Sequence, residues 1–252
     1  MLDEQPQVLG ASLRSTIPCL LEVSPINNRS TVARRSPLFE NIADSDFKAI
    51  VAKAQEKKFL RRQTIFLEGD PVRHIILLTS GCAKTLQCGQ NGSEVILRLS
   101  GPGELVGTIG TCGPGQHCSM ARALSACTAL VWDTHTFETV AERFPTLRRN
   151  ALQILTKRLH EMEERYREIS TEKVAGRLSH QLVRLMNQVG RKVDGAMEIC
   201  LSREELAQLT GTTLFTVSRL LSDWDQRGIV STRREAVSVH DVEALRELGE
   251  NE

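Results

Sequence analysis

Phe215, Ser218, Arg219 and Ser222 recur at the i, i+3, i+4, i+7 spacing of one helix face. Val217, Leu220, Leu221 and Trp224 repeat that spacing on the opposite side. The second set is an apolar stripe to be buried. The first is short, mixed and carries an arginine. A helix buried along one side and showing such a face on the other suits the reading of base edges in a major groove, where arginine meets guanine O6 and N7 together. Arg233 and Arg234 lie between two alternating apolar runs, Ile229–Val230 and Val237–Val239, at the expected tip of a hairpin. A phosphate backbone is the natural partner for arginines so placed.

These residues need elements to hold them. Ser202 followed by Glu205 is a capping box, so a helix begins there, with Leu206 and Leu209 on its apolar side. Gly211 supplies the turn into the helix that carries Phe215 and Arg219. Helix–turn–helix pairs also occur in proteins that never touch nucleic acid, and the hairpin that follows is what favours the DNA reading. Upstream, Leu152, Leu155, Leu159, Met162, Tyr166 and Ile169 alternate in steps of three and four, a heptad seam. Its flanks are charged: Lys157, Arg158, Glu161, Glu163, Glu164 and Arg165. A seam this narrow fits a parallel two-helix dimer interface; the plain alternative is a helix lying on its own β domain. Ser170–Thr171 is expected to break it. Between Lys58 and Trp132 the pattern is instead one of short strands, among them HIILLTSG and EVILRLS, separated by Gly, Pro and Asn91-Gly92 turns, which argues for a jelly roll.

The expected organisation is a loose tail over 1–35, a β-roll over 36–143, a dimerisation helix over 144–169 and a winged helix–turn–helix over 170–248. The fold class is α+β. With 252 residues, 40% hydrophobic and 25% charged, the chain is long enough for two cores. A net charge of +1 excludes a domain-wide basic field, so DNA contact would rest on local arginines. No segment approaches a membrane span, and the start of the chain does not read as a signal peptide, so a cytoplasmic protein is expected. The seven cysteines include no CxxC pair, and reduced thiols are the default.

In its order of elements the chain resembles the Crp/Fnr family of bacterial transcription regulators. The matching stretches are EGD at Glu68–Asp70, PGELVG at Pro102–Gly107, KVAGRL at Lys173–Leu178 and GTTLFTVSRLL at Gly211–Leu221. The resemblance implies a homodimer on a two-fold symmetric site in double-stranded DNA, and RNA polymerase as a further partner. It implies base reading by Arg219 and Ser218, and phosphate contacts by Thr213 and Thr216. Phe215 departs from the usual glutamate; it cannot accept from a cytosine amino group, and its natural contact is a thymine methyl. The pocket departs further. Thr108 stands where a ribose-binding glutamate is usual, His117 and Cys118 where an Arg-Ser pair neutralises a cyclic phosphate, and Met162 and Glu163 at the base contacts. No Arg or Lys lies between Ser100 and Ala121. A buried phosphate without its arginine is costly, so cAMP is not expected in the usual mode.

Only Cys19 precedes Cys82, which argues against an Fnr-type iron–sulfur cluster. Some family members bind haem in the loop that holds Cys112, His117 and Cys118; an axial ligand or a redox thiol there is one reading, small residues in a turn the other. The effector is left open. Two competing functions belong to other classes. A signalling module without DNA binding conflicts with Arg219, Ser218 and the wing arginines. An enzyme on a cupin-like roll needs a His and carboxylate ligand set, and the roll has no HxH pair. Neither catalysis nor a metal site is expected.

Overall fold

The computed structural model describes residues 26–109 and 115–250. In chain order the elements are α1 (Ile26–Arg34), a 3₁₀ turn (Pro37–Phe39), α2 (Asp44–Val51), β1 (Gln55–Phe59), β2 (Thr64–Phe66), β3 (His74–Ser80), β4 (Ala83–Cys88), β5 (Glu94–Ser100), β6 (Leu105–Val106), β7 (Met120–Ala123) and β8 (Cys127–Asp133). Then come α3 (Thr134–Arg143), α4 (Pro145–Thr171), α5 (Val174–Val189), β9 (Arg191–Val193), β10 (Ala196–Ile199), α6 (Arg203–Thr210), α7 (Leu214–Gln226), β11 (Val230–Arg233), β12 (Ala236–Val239) and α8 (Val242–Glu250).

The first eight strands make two antiparallel sheets, ordered β1-β8-β3-β6 and β2-β7-β4-β5. Phe59, Phe66, Ile76, Leu78, Val106 and Val131 fill the space between them. This is the expected roll. A second core, with Phe39, Ile50, Trp132, Phe137 and Leu147, seats α2, α3 and the start of α4 on the first sheet. There the Trp132 indole N–H donates to the Ile50 carbonyl at 3.0 Å, so the ring is buried without an orphaned donor. The third core is shared. Leu86, Ile96 and Leu99 of the second sheet join Leu178, Leu182, Leu206, Leu209, Val217, Leu221 and Trp224 of the C-terminal domain.

Two expected bounds are corrected. The segment ending at residue 35 is not all tail: α1 is helical, Ala33 is fully buried, and Arg34 donates to the Phe39 and Ile42 carbonyls. Ala33, the Arg34 staple and an Arg29–Glu56 pair dock it, and none is visible as a period. The long helix runs on through Ser170–Thr171 to Thr171. Both hydroxyls bond to carbonyls four residues back, at 2.9 and 2.8 Å, so they lie in the last turn and the break follows at Glu172, two residues past the expected bound of 169. After Gly190 comes the β9–β10 hairpin, which widens the wing to a four-stranded sheet ordered β11-β12-β10-β9. No helix among the described residues is long and apolar enough to cross a membrane.

Candidate nucleic-acid interface

The capping box forms as expected. Ser202 Oγ accepts from the Glu205 N–H at 3.2 Å, and Glu205 accepts from the Ser202 N–H at 2.9 Å. Gly211 ends α6 at φ 63°, a left-handed conformation that suits glycine. Thr213 then caps α7, its hydroxyl accepting from the Thr216 N–H at 3.2 Å. Val217, Leu221 and Trp224 are buried and Leu220 packs against them. The opposite face is open: Phe215 is 84% exposed, Leu214 is exposed beside it, Arg219 and Ser222 are exposed, and Ser218 and Thr216 are half-buried. Neither Leu214 nor the roll covers Phe215. Among the described residues Arg219 has no ion pair, which leaves its whole guanidinium fork available.

The wing is a tight hairpin. Arg233 pairs with Ala236, so Arg234 and Glu235 form its two-residue tip. Arg234 is exposed. Arg233 is also exposed and lies 3.5 Å from Glu198. Asp225, near the end of α7, accepts from the Thr232 N–H at 3.2 Å, and Arg203 of α6 donates to Thr232 at 2.8 Å. These bonds hold the wing to both helices. The sequence-assigned base-reading and phosphate residues are therefore brought onto one domain, and the Thr213 hydroxyl also caps α7 and lies 3.0 Å from that of Thr216.

On α4, Leu152, Leu159, Met162, Tyr166 and Ile169 are exposed, Tyr166 by 75%. Leu155 departs from the seam and packs in part against its own roll. Arg158 and Arg165, expected on solvated flanks, are turned inward. Arg158 donates to the Gly107 and Leu105 carbonyls, the former at 2.7 Å, and Arg165 to those of Leu97 and Leu209, the latter at 2.7 Å. Burial lowers the Arg158 pKa to about 10. Nothing in the seam's spacing separates these two from ordinary flank charges.

The pocket residues are more dispersed. Cys112 lies outside the described residues. Cys118 is exposed. His117 is buried, its ring stacked on Phe66 at 3.6 Å and 8°, and its Nδ1 has no hydrogen-bond partner. Burial lowers its pKa, against the opposing pull of Asp70, so the imidazole is held neutral. The Phe66 ring lies over Gly107, where a Cβ would come within 2.2 Å of it, and the Gly107 carbonyl is the one that binds Arg158. A contiguous path thus joins His117 to the long helix. Thr108 is half-buried, and Met162 and Glu163 are exposed on α4. Burial pushes the Cys127 thiol up to about 11 and raises Cys82 further, so both are poor thiolates. Cys82, Cys88, Cys118 and Cys127 are free. Glu168, Glu172 and His180 bring ligand-type atoms within 4.8 Å of one another. Arg184 already binds both Glu168 oxygens, at 2.6 and 2.7 Å, and Arg167 reaches Glu172 at 3.1 Å, so arginines answer these carboxylates.

A β-roll joined by a long helix to a winged helix–turn–helix defines a class of regulator that couples a small-molecule-type domain to DNA. Residues 56–144 match the cyclic nucleotide-binding domain, and residues 176–248 match the Crp-like helix-turn-helix domain. The chain belongs to the Crp/Fnr family of DNA-binding transcription regulators. It is 28% identical over 217 residues to the CRP-like cAMP-activated global transcriptional regulator of Mycobacterium tuberculosis, covering 85% of this chain and 96% of that one. It is 27% identical over 213 residues to the cyclic AMP receptor protein of Thermus thermophilus, covering 84% and 96%. Among solved structures, FixK2 from Bradyrhizobium japonicum shares the fold at a TM-score of 0.70 and 21% identity, over 77% of this chain and 96% of that one.

Proposed function

We propose that the protein is a homodimeric transcription regulator that binds a two-fold symmetric DNA site, with α7 of each protomer in the major groove. The observation that carries this reading is the open face of α7: Phe215 and Arg219 project from a helix whose other side is buried, and neither has a partner within the described chain. Arg219 takes a guanine, Ser218 and Phe215 read its neighbours, and Arg233 and Arg234 hold phosphates, with the free N-terminal N–H groups of α7 and the one hydroxyl hydrogen left over by the Thr213–Thr216 bond. The exposed residues of the α4 seam, Leu152, Leu159, Met162, Tyr166 and Ile169, form the dimer contact, which brings two reading helices to one duplex. RNA polymerase is the further partner, in the cytoplasm.

The signal is not cAMP in the usual mode. The two similar regulators named above carry cAMP in their names, but here a neutral, buried His117 stands where a cyclic phosphate would need a cation. Selection of bound duplexes from random DNA tests the whole reading: a two-fold symmetric consensus supports it, and the absence of any enriched sequence overturns it in favour of a signalling module without DNA binding. Titration calorimetry with cAMP should give no heat of binding; tight binding would return the protein to the cAMP-dependent group.

A further inference from the structure

Among the described residues the exposed free thiols are Cys88 and Cys118. They are far apart in the chain and meet in the second sheet. β4 and β7 pair antiparallel, with Lys84 opposite Arg122 and Leu86 opposite Met120. Continuing that register by two residues on each chain sets Cys88 opposite Cys118. A hydrogen bond spans the intervening step: the Gln87 side-chain amide donates to the Cys118 carbonyl at 2.6 Å. The faces agree as well, since side chains alternate along a strand. His117 turns inward onto Phe66, so Cys118 turns outward. Leu86 and Met120 turn outward, into the core shared with the C-terminal domain, and Cys88 follows Leu86 by two. Glu94, opposite Cys88 on β5, points the same way: its carboxylate lies 3.3 Å from Arg122 and accepts from Gln208 of α6 at 3.4 Å.

We propose that Cys88 and Cys118 are a hydroperoxide-reactive dithiol, which closes to a cross-strand disulfide at the rim of the surface on which α6 docks. Directly opposed residues of an antiparallel pair hold their Cβ atoms about 4.5–5.5 Å apart, and a disulfide needs about 3.5–4.5 Å, so a shift of about 1 Å makes the bond. Both residues lie where β4 and β7 run out, so the shift disturbs little of the ladder. Both face solvent, where a peroxide reaches them; Cys82 and Cys127, whose thiols burial keeps protonated, are unsuited to the reaction. The thiolate of one cysteine attacks a peroxide oxygen and the O–O bond breaks. Its sulfur is oxidised to a sulfenic acid, and the departing oxygen takes up a proton as water, or as an alcohol from an organic hydroperoxide. The second thiol then attacks that sulfur. The S–S bond forms as the S–O bond breaks, and the second thiol's proton leaves with the oxygen as water. Two thiols have given up two electrons, the peroxide has accepted them, and a dithiol reductant reverses the bridge.

The test treats the reduced full-length protein with hydrogen peroxide, blocks the remaining thiols with an alkylating reagent and maps the peptides by mass spectrometry. The Cys88 and Cys118 peptides are expected to be joined, lighter by two hydrogen atoms and unalkylated, and dithiothreitol is expected to restore both thiols. In Cys88→Ser the bridge cannot form, and Cys118 is expected to persist as a sulfenic acid that a 1,3-dione probe captures; Cys118→Ser gives the mirror result at Cys88. Both positions are exposed, so serine is accommodated without repacking. Thiols that remain alkylatable in the peroxide-treated wild type overturn the proposal, as does a bridge from either residue to any other cysteine. So does a Cys88–Cys118 bridge that forms equally fast in protein unfolded by urea, since the sheet would then contribute nothing. No step of this chemistry involves DNA, so its outcome and that of the duplex selection are separate.

Discussion

On the proposed reading, Arg219 and Phe215 would divide a half-site between a residue of usual chemistry and one of unusual chemistry. Arg219→Ala should relax selection at a single guanine, by about 1–3 kcal/mol of discrimination, in a competition assay against base-substituted duplexes. Phe215→Glu should shift the adjacent preference toward cytosine; an unchanged selection profile would mean that position 215 does not touch a base. Both residues were legible because a reading face is a solvent-facing set at helical spacing, and the apolar stripe behind it fixes the direction. The double duty of Thr213 was not. Its hydroxyl matches a phosphate contact by type and position, and only the folded chain shows it accepting from Thr216 at the head of α7. His117 was legible as an oddity but not as a buried ring, since its burial depends on stacking against a phenylalanine about fifty positions earlier in the chain.

The long helix α4 faces two ways. Its seam leaves apolar side chains exposed, the contact proposed above for a second copy, while Arg158 and Arg165 bolt it to carbonyls of its own chain. Leu159→Glu with Met162→Glu should convert the dimer to monomer in sedimentation equilibrium without lowering the thermal midpoint of the roll. At its far end Glu168 is the clasp to α5. Burial disfavours its charge, but the two bonds from Arg184 outweigh that and hold its carboxyl below the usual range. A lowered carboxylate pKa contributes stability that is complete above the unfolded value, about 4.3, and is lost as pH falls through the folded one. Thermal midpoints of wild type and Glu168→Gln should therefore differ most near neutrality and converge as the pH drops below that point. The seam could be read from its period, which belongs to one helix. The inward arginines could not, because a cation beside a seam is ordinarily solvated, and the carbonyls that receive these two come from distant turns.

At the scale of the whole molecule, the roll and the DNA-binding domain are one packed body. Lys84 of β4 is buried, 3.9 Å from Glu94 and 3.7 Å from Glu205, the residue that also closes the α6 capping box. Gln188 of α5 donates to the Leu99 carbonyl at 2.8 Å. A fragment holding only residues 170–252 should accordingly expose the apolar side that Leu86, Ile96 and Leu99 cover, and should bind a hydrophobic dye that the full chain does not. The division into a roll and a winged domain was legible from a change of period, from two to about three and a half. The shared core was not, since a buried leucine on a strand does not announce which domain will cover it.

That shared core also sets an order of events during synthesis. Leu99 is made well before its partner Leu178, with the whole of α3 and α4 between them. At about 5–20 residues per second, that side of the second sheet waits on the order of several seconds or more for its cover. For that interval each nascent chain carries an apolar patch that the finished protein covers.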